Sequence, residues 1–292
     1  MRPFYLVLLV LLISTASLVV IYGGLNGVAY MLMAMSMGSV SFIVYYRRLE
    51  FLAAGSVHAS LLSVTVGHIV AHSLVGFSDI YIYLVLLVGM SLGLAIVYFV
   101  GLLVKTGFSQ EKASAIMVST TTTLSVIAMH YAITHIPARY SLSSLILGDP
   151  LLVSGDEAVL GIVISIGVLV GVAIGCRVIV EMSIDEVSTS ILGVKAPLYD
   201  ALTYTLIGVT AIGLLRFAGY VAEHVLLLIP AQVGALYARS LRDHYYGTIL
   251  LGVTSASVGY AGALLLNVPP VGVTGLFLIL ALVIGIVKGG WK

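Results

Sequence analysis

Ten long apolar runs constrain this chain more than any other feature, lying near residues 4–22, 27–46, 51–75, 79–104, 112–135, 157–180, 198–215, 219–238, 246–266 and 271–288. A helix needs about 20 apolar residues to cross the roughly 30 Å hydrocarbon core of a bilayer. Inside that core only a helix or a closed barrel satisfies its own backbone. The expected fold is therefore all-α and polytopic, with about ten transmembrane helices in one domain over residues 1–292. Composition agrees, because 61% of residues are apolar and only 9% charged, against about a quarter charged in soluble domains. The first run is longer than the roughly 7–15-residue core of a signal peptide, and the following YGGLNG is a poor cleavage site. It reads as a retained first helix.

Basic residues orient the spans, since Lys and Arg favour cytoplasmic loops. With the N-terminus inside, Arg2, Arg47, Arg48, Lys105, Lys112, Arg177, Lys195, Arg239, Arg242, Lys288 and Lys292 fall on the cytoplasmic side. Only Arg139 and Arg216 fall outside. Dropping one helix would scramble this asymmetry, so it supports the count as well as the direction, with both termini cytoplasmic.

Two loops are long. The outer one, 136–156, is mildly apolar and could include a short surface helix. In the inner one, 181–197, Asp185 and Glu186 sit where a first helical turn prefers acids, Gly193 can end the helix, and Pro197 can open the next span. Periodicity alone leaves this short amphipathic helix as either a connector on the lipid headgroups or a docking element.

Several functions are excluded. A net charge of +1, with 13 basic residues spread along the chain, gives no basic face for nucleic acid. The single cysteine, Cys176, allows no internal disulfide or thiolate cluster. There is no phosphate loop, so ATP would have to be hydrolysed on another chain. This chain reads as a transport subunit, with no catalytic residues and no cofactor of its own.

Ionisable residues within the spans are then the candidates for a pathway. His58, His68 and His72 lie on the third span, His130 late in the fifth, and Glu223 and His224 in the eighth. Imidazole and carboxylate suit zinc, manganese and ferrous iron. His68, His72, His130, Glu223 and His224 could form an outer site, with His58, about 10 Å from the inner end of its helix, as a second station. Glu223 and His224 point about 100° apart on a regular helix, so both bind one ion only if the backbone is distorted. The plainer readings are a hydrogen bond from His58 to a neighbouring helix, water-facing His72 and His135, a solvated His244 in the inner loop, and a packing role for the STTTT run at 119–123.

Four stretches, in order, resemble the permease subunit of the ABC importers that bring zinc, manganese or ferrous iron into prokaryotic cells. They are YYRRLEFLAAGSVHASLLSVTVG (45–67), LSSLILGDPLLVSGDEA (142–158), DEVSTSILGVKAPLYDAL (185–202) and RFAGYVAEHVLLLIPAQVGALYARSL (216–241), within a match over about 27–288. The resemblance implies the architecture of metal and vitamin B12 importer permeases, a homodimer in the cell membrane, an ABC ATPase at the segment Asp185, Glu186 to Gly193, and an extracytoplasmic solute-binding protein. The family's pathway histidine falls on His58, but its usual partner Asp falls on Ala54, a second histidine on Ser119 and an outer Asp on Asn267. A non-metal substrate therefore stays open. So do an ion-coupled secondary carrier, which should show inverted repeats that this sequence lacks, and a scaffold or sensor that has lost transport.

Overall fold

A computed structural model describes residues 3–136 and 150–289. Its helices are α1 (Pro3–Arg47), α2 (Glu50–Val75), α3 (Tyr81–Lys105), α4 (Gln110–His135), α5 (Gly155–Ile184), α6 (Glu186–Ile191), α7 (Ala196–Ala218), α8 (Tyr220–Tyr237), α9 (Leu241–Leu266) and α10 (Pro270–Gly289). Among the described residues, nine of these are long and apolar enough to cross a membrane.

The first of the nine crosses twice. Drawn straight, the 45 residues of α1 would run about 67 Å, twice the bilayer core. Gly24 breaks the run at φ 51 and ψ −133, a conformation open essentially to glycine. Beyond it the chain folds back, so that a Cβ on Gly27 would lie 2.6 Å from Val19 Cγ1, although eight residues span about 12 Å in a straight helix. The first arm then runs along α9 in the same direction, through Tyr5 OH to Asp243 O and Thr15 Oγ1 to Ser257 Oγ. The second runs against it, from Gly38 beside Thr248 to Tyr46 beside His244. The ten expected crossings are present.

Helix ends follow local chemistry. Arg48, at φ 54, takes the left-handed position after α1, and Leu49 N–H reaches back to Val44 O at 3.0 Å, a Schellman-type stop without glycine. Arg47 pairs with Asp200 in the first turns of α7, tying the α1–α2 corner to the cytoplasmic end of α7. Within the spans, buried hydroxyls satisfy themselves on the preceding turn, as Ser56 on Leu52 O and Thr210 on Leu206 O do.

The α2 and α7 helices run through the middle of the bundle. Ala53, Gly55, Ser56, Ala59, Ser60, Ser63 and Gly67 give α2 a buried small-residue surface, which lets neighbouring backbones approach. By contrast α4 packs mainly on α2 and less on α3. Of the STTTT run only Thr121 is buried, while Ser119, Thr120, Thr122 and Thr123 are exposed on this single chain, so packing accounts for one residue of the five. The outer loop expected over 136–156 falls for the most part on 137–149, outside the described residues, as do Arg2, Arg139 and Lys292.

His244 is also corrected. Ser240 accepts the Asp243 N–H and caps α9, which therefore starts five residues before the apolar run at 246. His244 lies in its first turn and is 2% exposed.

Candidate functional site

The break between α7 and α8 builds the site. Gly219, at φ 81, ends α7 and starts α8, and the first turn of α8 presents Tyr220, Glu223 and His224 to α2. The rings of His58 and His224 stand 5.5 Å apart, nearly perpendicular at 84°. Tyr220 lies 5.4 Å from His58 and 4.5 Å from His224. Its hydroxyl is 3.1 Å from both His58 nitrogens, and Thr122 Oγ1 of α4 lies 3.1 Å from His58 Nδ1.

Two features suit this cluster to a cation. His224 Nδ1 faces its own helix's carbonyl at Tyr220, 3.1 Å away. A carbonyl only accepts, so Nδ1 carries the proton and Nε2 keeps a free lone pair, the arrangement a metal ligand needs. The neighbouring Glu223 is 0% exposed; Ser60 Oγ donates to its Oε2 at 3.4 Å, while Oε1 has no partner among the described residues. A carboxyl group left half-satisfied in a membrane interior is a candidate for a binding or pathway role.

The histidines expected to share an outer site are dispersed. His68, 9% exposed, meets Tyr81 OH through Nδ1 at 2.9 Å and Arg216 through Nε2 at 3.3 Å. Arg216 in turn donates from Nε to Glu157 Oε1 at 2.6 Å, and Glu157 also closes the capping box of α5 with Ser154. This network joins α2, α3, α5 and α7, and it gives the outward Arg216 its counter-ion. His72 packs on Phe77 and His135 stacks on Tyr131. His130 is exposed on α4. Among the described residues no three His, Cys, Asp or Glu side chains converge on one ion position, so an outer five-residue site is not assembled within one chain. Instead His58, expected as a separate inner station, is the neighbour of His224. Tyr220 escaped the sequence reading, and Thr122 was read there only as a packing residue of the STTTT run.

On the cytoplasmic side the short inner helix forms as expected, and Gly193, at φ 81, follows its end. Asp185 caps it rather than lying in its first turn, accepting from Ser188 N–H at 3.0 Å and from Ser188 Oγ. Those bonds, the hydroxyl's first, hold the Asp185 carboxyl below its ordinary value. The side chain of Glu186 lies outside the described residues. Ile184, Val187, Ile191 and Leu192 leave an exposed apolar patch around this helix.

Comparison with known proteins agrees with this architecture. The chain is 23% identical over 244 residues, 82% of its length and 80% of the relative's, to the "Probable metal transport system membrane protein" of Thermotoga maritima. Its fold matches a chain of PsaBC from Streptococcus pneumoniae in complex with Fab, at a TM-score of 0.73 and 17% identity, over 88% of each chain. The model of the ABC 3 transport family matches residues 25–289, and this multi-pass membrane protein belongs to that family.

Proposed function

We propose that the chain is the permease of an ATP-driven importer for a divalent transition-metal ion, with zinc, manganese and ferrous iron as the candidate cargoes. The observation that carries this reading is the pairing of His58 and His224 between α2 and α8, beside the buried Glu223. Two imidazoles hold the ion in transit. Water completes its shell, together with Glu223 once its side chain turns from Ser60. No covalent chemistry falls to this chain, because ATP is bound and hydrolysed on a partner subunit.

Two surfaces support the partners. The exposed apolar patch around α6 fits an ATPase, since apolar side chains on the water side of a membrane protein usually await a partner. A second copy of the chain suits α4, whose exposed Ser119, Thr120, Thr122, Thr123 and His130 are costly against lipid but at home along a watery pathway between two copies. A solute-binding protein would deliver the ion at the outer loops. ATP binding and hydrolysis then alternate the access of the His58–His224 station between the two sides.

The test is ATPase activity of the reconstituted complex in nanodiscs, with the binding protein present and each metal titrated. The reading expects stimulation by at least one divalent metal that His58→Ala and Glu223→Ala both abolish. Rates indifferent to every metal, with the variants matching wild type, would assign this scaffold to another cargo.

A further inference from the structure

A second histidine, outside the site, acts on the same helix. Pro230 lies in the middle of α8 and gives Leu226 no N–H to accept. One residue later, both polar main-chain atoms of Ala231 meet side chains from other helices. Its N–H donates to Ser41 Oγ of α1 at 3.3 Å, and its carbonyl accepts from His244 Nε2 of α9 at 2.8 Å. His244 Nδ1 then accepts from Tyr46 OH at 3.1 Å, so the two partners together specify one neutral tautomer.

The ring is enclosed, with Phe42 and Tyr45 edge-on at 5.1 and 5.0 Å. Gly234 allows the approach, because a Cβ there would lie 3.0 Å from His244 Cδ2 and 2.7 Å from Thr248 Oγ1. Carbonyls inside a helix are ordinarily satisfied by the helix itself, so a buried imidazole donating to one of them acts on the helix's position. A helix is weakest at a proline. Glu223 and His224 lie two turns, about 10 Å, beyond this one.

We propose that His244 is a positioning residue for the pathway: it pins α8 at Ala231, next to the Pro230 break, and so fixes where the outer half of the helix holds Glu223 and His224 against α2. The inference rests on the cation reading above, and its test includes a measurement that needs no metal.

The full chain is reconstituted with its ATPase as wild type, His244→Ala, His244→Gln and Tyr46→Phe. Gln places an amide N–H near the position of Nε2, and Phe removes only the outer bond. Hydrogen exchange without metal should show His244→Ala loosening amides 224–234 more than the rest of the bundle. Titration with zinc or manganese should show its half-saturating concentration raised about tenfold, with the maximal ATPase rate changed less. His244→Gln should restore both, and Tyr46→Phe should move both in the same direction by less. The proposal is overturned if exchange in α8 is unchanged or rises uniformly, if only the maximal rate falls, or if Gln restores nothing. A wild type with no metal response would sink the cation reading alone, and exchange would still decide whether His244 pins α8.

Discussion

Neutralising Arg216 tests how the outer half of the bundle is held. Arg216 and Glu157 side chains are each 9% exposed, and the guanidinium donates to Glu157 Oε1 at 2.6 Å, so the pair is buried and charge-assisted. Removing one partner of such a pair strands the other charge and costs about 3–5 kcal/mol, far more than losing both together. Arg216→Met leaves the carboxylate with the Ser154 N–H bond at 3.0 Å. Glu157→Gln keeps a capping acceptor but leaves the cation. Each single variant should therefore lose about 3–5 kcal/mol of unfolding free energy in mixed micelles, and the double variant clearly less than the sum of the two. A Glu157→Ala change also loses the α5 capping box and should cost about 1 kcal/mol more than Glu157→Gln. Additive single effects, with a coupling below about 0.5 kcal/mol, would show instead that the two groups act independently.

Other outcomes follow from particular residues. Gly24→Ala forces a side chain into φ 51, ψ −133 and should cost about 1–3 kcal/mol, read as a lower yield of folded protein and earlier unfolding. Ile191→Glu places a charge in the exposed apolar patch beside α6 and should weaken ATPase retention on purification while leaving the fold, by circular dichroism, unchanged. Because Asp185 titrates below its ordinary value in the folded chain, its cap is present above the unfolded pKa and is lost as pH falls through the lowered folded one. Protection of the α6 amides, taken relative to their intrinsic exchange rate at each pH, should therefore hold at neutral pH and fall only in acid, and Asp185→Asn should remove much of that pH dependence.

Crossing number and direction were legible because each crossing is a long apolar run and the basic residues fall on alternate connections. Even the merged α1 announced its reversal, in the YGGLNG between its two runs. The inner helix was equally legible, since acids at its start and a glycine at its end are local signals. Lateral and vertical placement was not. Counting residues from a helix end gives depth only for upright, straight helices, and α8 instead begins at the Gly219 break with its first turn against the middle of α2. That brings His224 to His58 while His68 is taken up by Tyr81 and Arg216. His244 was misplaced for a local reason: an N-cap at Ser240 draws Arg242, Asp243 and His244 into the helix before the apolar run starts.

Whether a divalent metal passes between His58 and His224 is decided by a structure of the assembled transporter with metal bound. Anomalous signal from zinc or manganese is expected about 2.0–2.3 Å from imidazole nitrogens of both residues, absent in His58→Ala. Signal at another position in the membrane, with the His58 and His224 rings left as they are here, would contradict it.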